Sequence, residues 1–232
     1  MKKCLFLVEG PYDKLRLSLL EDLFDPNKLI IIPFNSDKLK KKEYFLQIDS
    51  EIKSVLNIEK TYDVADFDYR VQVCDTDGCF IDDSKVLENL YLKHTIYYSD
   101  HIETSNLKSF MQERQYKKDN IGNILKKNTI ELYYNSTNID HSFDNIQNPS
   151  KKQKKSFALK MYKLYKGDYR SFIKLLYDCN KSGVINYDDS WKYVMKNDNS
   201  LSSCSNLLIF ILKNYNELKE DVKPIVDEVV NY

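Results

Sequence analysis

Two apolar runs in this chain stop abruptly at carboxylates and a glycine. Leu5-Phe6-Leu7-Val8 runs into Glu9-Gly10-Pro11-Tyr12-Asp13, and Val71-Gln72-Val73-Cys74 runs into Asp75-Thr76-Asp77-Gly78. Runs of this kind read as strands buried on both faces of a parallel sheet, and open α/β folds bind ligands at the carboxyl ends of such strands. The pattern therefore brings Glu9, Asp75 and Asp77 to one sheet edge. Carboxylates gathered there repel one another unless a cation lies between them, and an oxygen-only donor set suits Mg²⁺ or Mn²⁺. The expected chemistry is metal-dependent phosphoryl transfer.

The rest of the chain fits an α/β reading. Pro11 suits the first turn of a helix, and Leu15, Leu19, Leu20, Leu23 and Phe24 follow at helical spacing until Asp25-Pro26-Asn27 ends it. A second buried strand is expected over 29–33, a helix with a basic start over 38–56, a third strand over 70–74 and a fourth over 130–134. The fourth ends in Asn135-Ser136-Thr137-Asn138, a polar cluster suited to a turn and a helix cap. Alternating strands and helices predict a parallel sheet of about four strands flanked by helices. After Pro149 only helical patterns occur, over 155–165, 169–179, 190–195, 202–213 and 224–230. The expected organisation is a catalytic domain over 1–148 and a helical region over 149–232, packed on it or appended to it. The polar stretch 117–127 reads as a mobile loop.

The chain of 232 residues is long enough for one sizeable core. Its 35 basic and 35 acidic residues cancel, so net charge argues neither for nor against nucleic acid. Basic residues cluster at Lys38-Leu39-Lys40-Lys41-Lys42, Lys117-Lys118 and Lys151-Lys152-Gln153-Lys154-Lys155. Such clusters can track phosphates, or can be solvated faces and nothing more. Met1-Lys2-Lys3 resembles a signal n-region, but the apolar run behind it breaks at Glu9, and no stretch is long enough to span a bilayer. A cytoplasmic protein with no membrane partner is expected. Five cysteines, odd in number and without paired spacing, favour neither a disulfide framework nor a zinc site and read as small core residues.

The strand followed by Glu9-Gly10 and Asp13 resembles the first motif of the Toprim domain, and Asp75-Thr76-Asp77 resembles the paired-aspartate motif of the same domain. The segment from Leu132 to His141 is similar to the late strand-to-helix segment of OLD-family Toprim proteins, with Asp140 where those proteins usually carry Glu. The resemblance covers residues 4 to 148. It implies a stand-alone metal-dependent nuclease, similar to those of bacterial mobile elements and phage defence, cutting DNA or RNA, with tRNA among the candidates. Asp75 and Asp77 would hold Mg²⁺ or Mn²⁺, Glu9 would be a ligand or the general acid/base, and Asp140 would complete a second metal site. Asp13 would orient the Glu9 loop or bind metal through water, with Asp82 and Asp83 as reserve ligands. Gly10 and Gly78 would let a phosphate approach the backbone. Outside the resemblance, the basic cluster offers Lys151 and Lys152 as nucleic-acid contacts; His141 would contact phosphate, or lie on a helix surface. No Gly-x-x-x-x-Gly-Lys-Ser/Thr loop is present, so an accompanying ATPase sensor would be a separately encoded partner.

Other readings compete for the same residues. Glu9 and Asp13 suit a helix N-terminus, and Asp77-Gly78 suits a turn. Asp75-Thr76-Asp77-Gly78 also resembles the first motif of haloacid-dehalogenase-type phosphatases, with Asp75 as nucleophile. Against that stand Cys79 in place of the usual Thr, the strand-helix-strand unit that precedes the motif, and the lack of a recognisable downstream lysine and acidic pair at strand ends. A non-catalytic Toprim binding module activated within a partner complex is the third reading. Trp191 reads as a core anchor; Tyr97, Tyr98, Tyr133 and Tyr134 read as core residues or as stacking surfaces for bases. His94 and His101 carry no ligand spacing.

Overall fold

The structure, a computed structural model, describes residues 3–60 and 62–230. Met1 and Lys2 of the basic N-terminal tripeptide, and positions 231–232 of the helical region, lie outside the described residues. The chain runs through β1 (Cys4–Val8), α1 (Pro11–Leu17), β2 (Leu29–Pro33), α2 (Tyr44–Glu59) and β3 (Tyr69–Asp75). Three short strands follow, β4 (Val86–Glu88), β5 (Ile96–Tyr97) and β6 (Ile102–Thr104), then α3 (Leu107–Lys127) and β7 (Glu131–Asn135). The remainder is helical: α4 (Ile139–Asp144), α5 (Lys151–Tyr165), α6 (Tyr169–Cys179), α7 (Tyr187–Val194), α8 (Leu207–Lys213) and α9 (Lys223–Val230).

The main sheet has the order β2-β1-β3-β7 and every pairing in it is parallel. Strand pleating sends alternate side chains to opposite faces. Cys4, Phe6, Val8, Val71, Val73 and Tyr133 enter one core with Met161, Phe172, Ile173 and Phe210. Leu5, Leu7, Cys74, Leu132 and Tyr134 enter the other with Tyr44, Ile48, Ile52, Ile121, Ile124 and Trp191. The C-terminal helices thus supply both layers, α5, α6, α8 and α9 on one face and α7 on the other, and are packed on the sheet. All five cysteines are free and buried.

Strand β7 would be an open edge, and side chains together with the backbone of residues 204–206 complete it instead of a full strand. Asn206 accepts from Tyr134 N at 2.7 Å and its own N–H donates to Tyr134 O, while the Tyr187 hydroxyl accepts from Leu132 N. Trp191 Nε1 donates to Leu132 O at 3.2 Å. The sole tryptophan is therefore a core anchor whose polar atom satisfies the sheet edge.

Three expectations need correction. The stretch 117–127 is not a loop but the second half of α3, where Ile121 and Ile124 face the sheet. The helix expected over 38–56 is interrupted. Residues 38–40 form a 3₁₀ turn capped by the Asp37 carboxylate, Glu43 is left-handed at φ 53°, and α2 starts only at Tyr44. The first helix ends at Leu17 and tightens into a 3₁₀ turn over Ser18–Leu23. The second small sheet, ordered β4-β6-β5, has no counterpart in the expected elements.

Phe210 joins the layers, its ring edge-on to Phe6 at 5.0 Å, Tyr133 at 5.6 Å and Phe24 at 5.9 Å. Phe210→Ala is expected to cost about 3–5 kcal/mol. Because the helical region and the sheet share this core, urea unfolding of the variant should remain one transition at a lower midpoint, not two.

Candidate functional site at the carboxyl ends of the strands

The sheet register sets the site. Asp75 is paired with Asn135 across β3 and β7, and Glu9 follows the last residue of β1 beside it. Asp75 N donates to Glu9 Oε1 at 3.0 Å, and Asn135 Nδ2 donates to Asp75 Oδ1 at 3.3 Å. Beyond β3 the chain is pinned by Thr76, whose N–H donates to Asn135 O and whose hydroxyl donates to Ser200 O. Asp77 and Gly78 are then successively left-handed, at φ 49° and 62°. A Cβ on Gly78 would meet Leu201 Cδ2 at 2.6 Å and Ile102 Cδ1 at 2.8 Å. Turn geometry and packing therefore account for this glycine, which faces a small core and not the groove.

A lysine that falls in the stretch expected to be a loop stands at the centre. Lys117 is fully buried, its ammonium 2.6 Å from both Asp77 Oδ2 and Asp37 Oδ2 and 3.8 Å from Glu9 Oε1. Lys40, aimed inward by the 3₁₀ turn, lies 2.8 Å from Asp77 Oδ2 and 3.4 Å from Asp37 Oδ2. Tyr97 of β5 donates its hydroxyl to Asp77 Oδ1 at 3.3 Å. Burial alone would raise the pKa of Asp77, but the two ammonium groups overcome it and hold the carboxyl below its usual range. Burial likewise opposes the charge on Lys117, and the carboxylates of Asp37, Asp77 and Glu9 hold its proton firmly.

Glu9 and Asp75 are tuned the other way. Burial, then the like charges of Asp37, Asp75 and Asp77, push Glu9 well above the normal carboxylate range, with Lys117 only partly offsetting them. Burial followed by Asp13 and Asp77 does the same to Asp75, which forms no ion pair among the described residues. Asp13, one turn into α1, accepts from Gly10 N at 2.9 Å and is pushed up to about 6, mainly by burial.

Two adjoining cavities of about 250 and 450 Å³ share Glu9, Asp75 and Lys154 in their walls. Together they form a groove over the strand ends. The first is also lined by Asp13 and Asp37, the second by Lys40, Asp77, His94 and Tyr97. Five carboxylates (Glu9, Asp13, Asp37, Asp75, Asp77) face three ammonium groups (Lys40, Lys117, Lys154), which leaves two surplus negative charges when all are ionised. Hard oxygen donors and a surplus of this size fit a divalent cation. Among the described residues no three His, Cys, Asp or Glu side chains already converge on one point, Lys117 being the cation that Asp37 and Asp77 hold here.

Of the other expected site residues Gly10 lines the groove, and the rest lie outside its walls. Asp140 is fully buried and paired with Arg16 at 2.5 Å, with Lys154 at 3.9 Å. His141 is buried beside Thr137 rather than on a helix surface, and burial pushes it down to about 4, so it is neutral at physiological pH. Gly10 caps α1 beside the groove, and Lys151 and Lys152 are exposed at the start of α5. Asp82 caps Ser84, and Asp83 pairs with Arg114 and Lys118 around a separate surface hollow. Tyr133 and Tyr134 are core residues, whereas Tyr98 is exposed and stacks on His101 at 4.2 Å. A downstream lysine does reach the strand ends, but it is Lys117 on Asp77 and Asp37, not on Asp75. Asp37 was not singled out from sequence, and Lys40, Lys117, Tyr97 and Asn135 were read there only as members of basic clusters, as a core or stacking aromatic and as part of a turn, not as partners of the carboxylates. Asp37 had a signal, since Asn35-Ser36-Asp37 follows the second strand as the acidic motifs follow the first and third.

Comparison with protein-family models, with curated proteins and with solved structures gave no match. No helix among the described residues is long and apolar enough to cross a membrane.

Lys117→Met removes the buried cation from two contacting carboxylates and is expected to destabilise the fold by about 3–5 kcal/mol in urea unfolding. Asp77 is held below its unfolded value of 3.8, so its pairing stabilises above that pH and is lost below it. The gap between variant and wild type should therefore be full above pH 3.8 and narrow steadily as the pH falls below it toward the depressed folded value. Asp13 has the opposite sign. Its folded value near 6 exceeds the unfolded 3.8, so the folded state binds the extra proton and stability falls as pH rises across that window. Asp13→Asn keeps an acceptor for Gly10 N and should abolish that fall, gaining on wild type between about pH 4 and 6.

Proposed function

We propose that the chain is a Toprim-like phosphodiester hydrolase that uses a divalent metal, Mg²⁺ or Mn²⁺, to cut DNA or RNA. The observation that carries this reading is Asp75. It is a carboxylate at a strand end with no paired cation among the described residues, pushed up by burial, Asp13 and Asp77, and hydrogen-bonded through its own N–H to Glu9. Such a group costs the fold stability, which is common where residues serve a site and not the core. The Toprim resemblance of Glu9-Gly10 and Asp75-Thr76-Asp77 supplies the reaction class, and the parallel sheet with both motifs at one edge agrees with it.

On this reading Glu9, Asp75 and Asp77 hold the metal, which would neutralise the scissile phosphate and lower the pKa of an attacking water. Glu9, which burial and the neighbouring carboxylates push upward, is the carboxyl best placed to exchange a proton with the reacting oxygen. Lys117 and Lys40 keep Asp77 ionised and fix its direction. Tyr97 closes one wall of the groove. A place in phage defence beside a separately encoded ATPase sensor follows from the resemblance alone.

The test uses wild type and Asp75→Asn with plasmid, single-stranded DNA and total tRNA, each in Mg²⁺, Mn²⁺ and EDTA. Wild type should cleave at least one substrate only with metal, and the variant should cut it at least about 100-fold more slowly while unfolding at a higher urea concentration in EDTA. Hydrolysis of a generic phosphomonoester, with no nucleic acid cut, would replace the nuclease by the phosphatase reading.

A further inference from the structure

From residue 145 to residue 167 the chain holds seven lysines and no acidic residue, although the whole sequence is electrically balanced. Helix α5 occupies most of this stretch. Ala158 and Met161 bury one side of it, and Lys154 on that side faces the groove. Lys151, Lys152, Lys155, Lys160 and Lys163 are exposed on the outer side, and none of them forms an ion pair among the described residues. The basic clusters nearer the strand ends differ, since Lys38, Lys40, Lys41, Lys117 and Lys118 are all paired.

The charge also stands at the wrong end of the helix. A helix N-terminus carries partial positive charge and favours acidic side chains in its first turn. Here that turn has none, and four of the lysines lie within the first five residues. Even the cap is uncharged: Ser150 accepts from Gln153 N, and Gln153 Oε1 accepts from Ser150 N. Among the described residues only Lys154 of this group has a paired carboxylate, Asp140 at 3.9 Å, and an external polyanion would relieve the remaining like charge.

We infer that the outer face of α5 is the track along which a nucleic-acid backbone runs into the carboxylate groove, Lys154 marking the point of entry. The inference rests on reading that groove as a phosphodiester site, which fixes where the strand leads. From Lys151 to Lys163 the helix spans about 18 Å at 1.5 Å per residue, enough for several successive phosphates. The lysines carry no base-reading geometry, so they bind the backbone and are insensitive to sequence. Exposed Leu159 and Leu164 sit among Lys160 and Lys163 in a shallow hollow, which makes an anionic lipid surface the alternative partner that the test must separate.

Full-length wild type and Lys152→Gln/Lys155→Gln/Lys163→Gln are titrated in EDTA with fluorescein-labelled duplex DNA, single-stranded DNA and RNA at several salt concentrations. Both proteins are also sedimented with phosphatidylserine vesicles, and circular dichroism checks the fold. Wild type should bind at least one nucleic acid, and the triple variant should bind it at least tenfold more weakly. On duplex the slope of log K against log salt should be smaller by about 0.9 for each phosphate that the variant no longer neutralises. Equal binding by the two proteins, no nucleic-acid binding by wild type, or binding to vesicles but not to nucleic acid would each overturn the inference. Because binding is read without metal, a protein that binds through α5 but cuts nothing in Mg²⁺ or Mn²⁺ would sink the hydrolase reading and not the track.

Discussion

One buried ammonium group organises the functional end of this molecule. Lys117 comes from the middle of α3 and reaches carboxylates that belong to three different strand ends, Glu9 after β1, Asp37 after β2 and Asp77 after β3. A charge buried so deeply is tolerable only when paired, and the carboxylates would repel one another without it. The two requirements satisfy each other. The consequence is that α3 is docked by charge as well as by Ile121 and Ile124. Its neighbour Asn120 adds a third tie, donating to Leu39 O and Lys41 O at 2.8 Å and so fixing the turn that aims Lys40.

The cluster divides into two electrostatic regimes within one groove. Asp77 lies against two ammonium groups and is held ionised; Glu9 and Asp75 lie on the side with excess negative charge and are pushed toward protonation. Neighbouring carboxylates with acidity driven apart are how a single fold provides both a fixed charge and a proton carrier. Here the division follows from which strand end α3 overlies. Strand β7 contributes no carboxylate of its own at that edge, only Asn135, whose amide donates to Asp75.

The sheet was legible from sequence because its signals are local. Apolar runs ending at polar residues mark β1, β2, β3 and β7 to within a residue or two, and the motifs at their ends put Glu9, Asp75 and Asp77 together. What sequence could not show depends on distant partners. Lys117 sits in Gln115-Tyr116-Lys117-Lys118-Asp119, a surface-like string, and only carboxylates forty or more residues away make its burial possible. The same holds for Asp140, whose partner is Arg16 on the first helix. Gly78 shows both levels at once, since the turn legible in Asp77-Gly78 is there with its left-handed glycine, while the lack of room for a Cβ comes from Leu201 of the C-terminal region and Ile102. The short strands β4, β5 and β6 are too brief to carry a period and are fixed by Ile81, Val86, Ile102 and Leu201 packing together.

The C-terminal region ties stability to the site more closely than its distance along the chain suggests. Ser200 O accepts from the Thr76 hydroxyl and from Thr137 N, and Cys204 O accepts from Ser136 N. These bonds hold both turns that flank Asp75 and Asn135. The loop carrying them is itself fixed by Leu201 against Gly78 and Ile102, and by Asn206 against the edge of β7. A helical region that served only as an appendage would leave those turns to their own sequence, and Asp77 in a left-handed conformation is not a geometry an isolated turn holds firmly. The region after Pro149 is therefore part of what builds the groove, because Ser200 O holds the Thr76 hydroxyl and also Thr137 N, and Thr137 O in turn accepts from Asp77 N.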